Sequence, residues 1–206
     1  MSSKKTQIKI CGLTTPEDIR YINETRPDFA GFVLFFEKSK RNLSVPQAKK
    51  LTELLSEQIK KVAVVVAPTL EQIREIEKTG FDYIQIHGAL PESILSEIHL
   101  PVLKAFNISD MKDISFYQTH PNIKGYVFDA LEPGSGKTFD WKTVSVLPED
   151  HKLFFLAGGL CAENVTDAIR AVHPDAVDVS SGVEYDAKPG KDPEKIRAFV
   201  ANVRKL

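Results

Sequence analysis

The chain has 206 residues, 42% hydrophobic and 27% charged, which suits one well-filled core and is too short for two full domains. A net charge of -1 and a pI near 6.5 leave no basic stripe for nucleic acid and no polybasic patch for a membrane surface. An anionic ligand must then be held by a few local donors, and a small metabolite suits that better than a polymer.

The first apolar run, residues 7–11, is a strand that stops on the thiol of Cys11. Thr15, Pro16, Glu17 and Asp18 follow with an N-cap, a proline at the first helical position and an acidic first turn, so a helix is expected to about Glu24. Residues 29–36 are apolar on both faces, the pattern of a strand covered on both sides. A polar loop, residues 37–42, leads to Ser44, which caps a helix expected through about Glu57 with Ala48, Leu51, Leu54 and Leu55 on one stripe.

The same phrase then repeats. Strands are expected at 61–67, 83–87, 102–106, 125–129, 152–157 and 176–179, with helices at 69–78, 91–99 and 110–118. A short helix is expected near Asp140 and Trp141, another opened by Asn164, and a terminal one capped at Asp192 and Pro193. Eight strand-then-helix units with short connections predict a single-domain α/β chain, a closed (β/α)8 barrel spanning residues 1–206. Loops must be minimal at this length. The active site of such a barrel lies at the C-terminal ends of its strands.

Few of those ends carry pointed chemistry. Cys11 by itself is more often a small buried hydrophobe, and Asp129 by itself is as well read as the cap of the next loop. Together they place a thiol and a carboxyl on opposite walls of one mouth, an acid and base pair. Gly158 and Gly159 follow the seventh strand, and Ser180, Ser181 and Gly182 follow the eighth, where this fold binds phosphate through backbone N–H groups. Arg41 belongs either to a solvated basic run or to a carboxylate site, and His87 either lines the pocket or caps the fourth strand.

Three further features carry less. Residues 134–138 resemble the end of a nucleotide loop, but Ala130 stands where its first glycine belongs, so a mobile lid is expected instead. Lys9 and Lys104 are conceivable Schiff-base lysines, and Cys161 is expected in the first turn of the seventh helix with a structural role. No metal is expected, because the five histidines are scattered. The two cysteines stand far apart and no apolar run approaches a membrane span, so free thiols, a cytoplasmic location and no membrane partner are expected.

As a set, the stretches 9–14, 31–33 with 38–41, 85–88, 134–141, 157–160 with 164–165, and 178–184 resemble the phosphoribosylanthranilate isomerase family of tryptophan biosynthesis. The resemblance implies an Amadori rearrangement of N-(5-phosphoribosyl)anthranilate to 1-(2-carboxyphenylamino)-1-deoxyribulose 5-phosphate, with no cofactor. It implies Asp129 as general acid and Cys11 as general base. It also implies a substrate-binding set of Arg41, His87, Gly158, Gly159, Asp178, Ser180, Ser181 and Gly182, in a monomer or homodimer. The rival readings are indole-glycerol-phosphate synthase and a pentose-phosphate epimerase. The synthase needs lysine and glutamate at strand ends, and the epimerase needs paired acids with a metal. A thiol ends the first strand here, and Ala67 and Pro68 end the third.

Overall fold

The computed structural model describes residues 5–107, 114–129 and 151–206. Eight parallel strands, β1 (Gln7–Cys11), β2 (Phe29–Leu34), β3 (Lys60–Val66), β4 (Tyr83–His87), β5 (Val102–Asn107), β6 (Ile123–Asp129), β7 (Leu153–Leu156) and β8 (Ala176–Val179), pair in sequence order. The ring closes where β8 meets β1, with Lys9 opposite Asp178, and β1 in turn pairs with β2. The expected (β/α)8 barrel is therefore the fold. A two-residue strand, Asn42–Leu43, extends the sheet beside the end of β2.

Strand periodicity divides the core in two. Outward positions such as Ile8, Ile10, Phe32 and Val65 pack under the helices, while Phe29, Val62, Leu103, Val127 and Phe155 fill the barrel interior. Phe29 meets Phe155 and Tyr83 edge to face, at 5.2 and 5.7 Å between ring centroids. The floor of the barrel is thus packed, and a cavity opens toward the strands' C-terminal ends.

Seven helices are described: α1 (Pro16–Thr25), α2 (Val45–Thr52), α3 (Leu70–Glu77), α4 (Glu92–Leu95), α5 (Ile114–Gln118), α6 (Val165–Val172) and α7 (Pro193–Arg204). Capping boxes at Thr15 with Asp18, Ser44 with Gln47 and Thr69 with Gln72 start the first three. Among the described residues, no helix is long and apolar enough to cross a membrane.

Several boundaries differ from expectation for tertiary reasons. α2 stops at Thr52 because Asn23 of α1 binds the carbonyl of Leu54 and the N–H of Ser56, which leaves Leu54 outside the stripe and exposed. α4 covers only four of the residues expected at 91–99, because Asn122 takes the carbonyls of Ile98 and Leu100. Strands β2 and β3 end one or two residues early, at Phe35 and Ala67, which adopt left-handed φ angles of 56° and 41°. The start of the fifth helix and the loop and short helix expected at 134–141 lie outside the described residues.

Asp18 couples α1 to the far end of the chain. Its Oδ2 accepts from the N–H groups of Thr14 and Thr15 and from the Thr14 hydroxyl, and its Oδ1 accepts from the N–H of Lys191. The carboxylate is buried, so removing it strands those donors. Asp18→Ala is expected to cost about 2 kcal/mol, a fall of roughly 4–8 °C in Tm, measured by thermal unfolding.

Candidate active site

The C-terminal ends of the strands enclose a cavity of about 230 Å³. Cys11, Arg41, His87, Asp129, Gly158, Gly159, Asp178, Ser180 and Ser181 all line it. Barrel geometry explains the convergence. Cys11, His87, Asp129 and Asp178 occupy inward positions at the ends of β1, β4, β6 and β8, and a parallel barrel turns all such ends to one side. Gly182 does not line the cavity. A Cβ there would come within 1.9 Å of the Leu160 carbonyl oxygen, so this glycine lets the loop after β8 pack on the loop after β7.

The thiol has a made-to-fit seat. A Cβ on Gly31 of β2 would lie 2.8 Å from the Cys11 sulfur, so the missing side chain is the space the sulfur uses. Burial pushes the thiol's pKa up, Lys9 and Lys191 pull it down, Asp178 pushes it up, and the net direction is upward. Lys9 lies fully buried with its Nζ 2.7 Å from Asp178 Oδ2. Burial disfavours its charge, but Asp178 and Cys11 outweigh that and raise its pKa. The other Asp178 oxygen, Oδ1, is buried without a hydrogen-bond partner, as is Gln85 Oε1.

His87 is neutral at pH 7. Burial, with the charges of Lys9 and Lys104, brings its pKa down to about 4. The Gln85 amide nitrogen is 2.8 Å from His87 Nε2, so the neutral ring accepts a hydrogen bond there. His87 lines the cavity wall, which resolves the choice between lining and capping.

Arg41 is not part of a solvated run: its side chain is 24% exposed, against 70% for neighbouring Lys40. It lies over Gly12, where a Cβ would meet Arg41 Cδ at 2.3 Å and where φ is 78°. Its Nε donates to Glu184 Oε1 at 2.5 Å, while Lys40 pairs with Oε2 at 2.8 Å and Lys191 with Oε1 at 3.2 Å. Burial opposes ionisation of Glu184, but the hydrogen bonds from Arg41 and Lys40 and the Lys191 charge bring its pKa down to about 2. Lys191, itself buried, also donates to the Ser180 carbonyl at 3.0 Å.

The two glycine- and serine-rich loops adjoin. Gly158 and Gly159 have φ angles of 92° and 63°, which only glycine adopts without strain. Asn164 ties their loop to α6 by donating to the Gly159 carbonyl and accepting from the Cys161 N–H. Ser180 Oγ donates to the Cys11 carbonyl at 3.0 Å, which fixes the end of β8 against the end of β1.

Two expectations are corrected here. Cys161 precedes α6 by one turn and is not in a helix. Lys104 turns outward, its Nζ 4.7 and 5.4 Å from the ring centroids of Phe106 and Tyr117, because its position on β5 has outward parity. Lys9 faces inward but is committed to Asp178 below the cavity, so neither lysine presents a free amine to it. Among the described residues, no group of three or more histidines, cysteines or acids could hold a metal ion.

Residues 8–202 match the family described as N-(5'phosphoribosyl)anthranilate (PRA) isomerase. The chain belongs to that family. It is 41% identical over 201 residues to the N-(5'-phosphoribosyl)anthranilate isomerase of Streptococcus gordonii, covering 97% of this chain and 98% of that one. The Streptococcus mutans enzyme of the same name is 40% identical, with 97% and 100% covered. Among solved structures, the phosphoribosyl anthranilate isomerase of Thermotoga maritima aligns with a TM-score of 0.85 at 35% identity, over 98% of this chain and all of that one. Another isomerase of this name, solved in complex with reduced 1-(o-carboxyphenylamino)-1-deoxyribulose 5-phosphate, aligns with a TM-score of 0.83 at 32% identity, over 98% and 100%.

In this member of the isomerase family, sequence reasoning gave no role to Gln85, Glu184 or Lys191. Gln85 could have been found, since it shares strand parity with His87 two residues on. Lys191 carries no local signal, because its partners come from the tertiary fold. The low pKa of Glu184 makes stability depend on pH. A carboxylate at about 4.5 when unfolded and about 2 when folded adds stability that is complete above pH 4.5 and is lost as pH falls toward 2. Glu184→Gln should therefore be less stable than wild type in urea unfolding at pH 7, and the gap should narrow at pH 3.

Proposed function

We propose that the chain converts N-(5-phosphoribosyl)anthranilate to 1-(2-carboxyphenylamino)-1-deoxyribulose 5-phosphate as one catalytic domain, with Cys11 as general base and Asp129 as general acid. The observation that carries this reading is that both groups open into one cavity, flanked by Arg41 on one side and the glycine- and serine-rich loops on another. It is the family's reaction, and the chain's residues suit each step of it.

The Asp129 carboxyl gives its proton to the ribose ring oxygen. The bond from that oxygen to C1 breaks, and the nitrogen lone pair closes a C=N double bond to give an iminium. The Cys11 thiolate then takes the proton from C2, which the adjacent iminium has acidified. The C–H electron pair becomes a C1–C2 double bond, the C=N pair returns to nitrogen, and an enolamine results that tautomerises to the ketone. Neither step calls for a redox partner; the closing tautomerisation takes the proton off the C2 hydroxyl and puts one on C1, and proton exchange with solvent returns Cys11 to its thiolate and Asp129 to its acid form.

Binding follows from the shape and charge of the walls. Arg41 is held through Nε by Glu184, so its two Nη groups are left to receive the anthranilate carboxylate. Gly158, Gly159, Ser180 and Ser181 receive the phosphate, with glycine letting backbone N–H groups approach the oxygens. His87, neutral, and Asp178, with one unpartnered oxygen, offer hydrogen bonds to the sugar hydroxyls.

The test follows the loss of anthranilate-type fluorescence from substrate made in situ. Wild type is expected to turn the substrate over, while Cys11→Ser and Asp129→Asn each lower kcat by about 10² to 10⁴ with the fold intact. Turnover at the wild-type rate in either variant removes that residue from the mechanism. Arg41→Ala should act mainly on KM, and an unchanged KM would move the carboxylate site elsewhere.

A further inference from the structure

We propose that Lys9 is the positioning residue that makes the Cys11 thiolate available, its buried ammonium held by Asp178 across the β1–β8 pair with donors left for the sulfur two residues along its own strand. The inference rests on the reading of Cys11 as the base.

Lys9 and Cys11 project from the same face of β1, two residues apart, which separates their Cα atoms by about 6.6 Å. A lysine stem is long enough to bring its ammonium up to the neighbouring layer. The ammonium is wholly buried and does not line the cavity, so it meets substrate only through another group. It has three N–H donors: one bonds Asp178 Oδ2 at 2.7 Å, and a weaker side-chain hydrogen bond to Cys11 favours the charged forms of both groups. Asp178 holds the ammonium by one oxygen only, its Oδ1 having no partner. Donor capacity therefore remains for the sulfur, whose own position is fixed by the space at Gly31.

The other charged and titratable groups facing the thiol do not take over this part. Asp178, on β8, opposes ionisation. Lys191 favours it more weakly than Lys9 and is engaged with Glu184 and Ser180. Arg41, lying over Gly12, is locked to Glu184. Across the cavity stand neutral His87 and the carboxyl of Asp129. Burial drives the thiol toward its neutral form, and Lys9 is the strongest of the charges that work against it.

The experiment reads the thiol with no substrate present. In a Cys161→Ala background, alkylation of Cys11 by iodoacetamide is followed across pH by mass spectrometry. Lys9→Gln is expected to move the midpoint up by about one pH unit, a tenfold loss of thiolate on the acid side, and Lys9→Arg to bring it back toward wild type. The rising limb of the kcat profile should move with it. Lys9→Gln leaves Asp178 buried without its partner, so Lys9→Gln with Asp178→Asn is tested alongside. Its midpoint should also lie above wild type, because the pull of Lys9 exceeds the push of Asp178. A midpoint equal to or below wild type in either folded variant overturns the proposal. Because alkylation needs no turnover, this result stands apart from the isomerase reading, which fails instead if the wild-type chain leaves the substrate unconverted.

Discussion

Two opposite charges are buried inside the barrel where its last strand meets its first, and the site above depends on their pairing. A lysine or a carboxylate alone in that interior would be costly, by several kcal/mol for each ion even after relaxation. Lys9 and Asp178 avoid this by standing opposite one another in the register of β1 and β8, 2.7 Å apart. The pair lies beside the apolar fill of Phe29, Val62 and Phe155, and it marks the change from packed core to polar cavity. A barrel that closed one residue out of register would separate the charges and turn one of them outward.

The mouth of the cavity is braced by a second set of contacts that comes from the end of the chain. Lys191 is tied by its main chain to Asp18 at the start of α1, and by its side chain to Ser180 and Glu184. Glu184 passes that constraint to Arg41, which lies over Gly12 next to the thiol. The loop after β8 thus anchors both Arg41 at the cavity mouth and the strand end that presents the thiol. Its rigidity comes from ion pairing away from bulk solvent, where such pairs are little screened.

The barrel was legible in the sequence because each of its strands is buried on both faces and each early helix starts with a capping box. The strand ends were legible for a topological reason. Once eight parallel strands are read, Cys11, His87, Asp129 and Asp178 must open toward one side whatever the loops do. What escaped were choices made by side chains far apart in sequence. Asn23 shortens α2, Asn122 shortens α4, and Arg41 finds Glu184 across 143 positions. Lys9 shares strand parity with Cys11 and so faces inward, but an inward lysine can be a nucleophile or half of an ion pair. Only the register of β8 against β1 decides between them.

In the proposed reaction, a thiol serving as base faces a conflict between the dryness that protects the reacting iminium from water and the burial that holds the thiol neutral. The distribution of cations in this cavity answers that conflict. Lys9 sits two residues from the thiol on its own strand and Arg41 at the mouth, while His87 on the facing wall, with its pKa brought down to about 4, adds no charge of its own. A protonated His87 would add a competing site for the anionic groups of the proposed substrate. The Lys9 charge that works against the thiol's burial also joins with burial to keep His87 neutral, so one buried cation acts on both walls of the cavity.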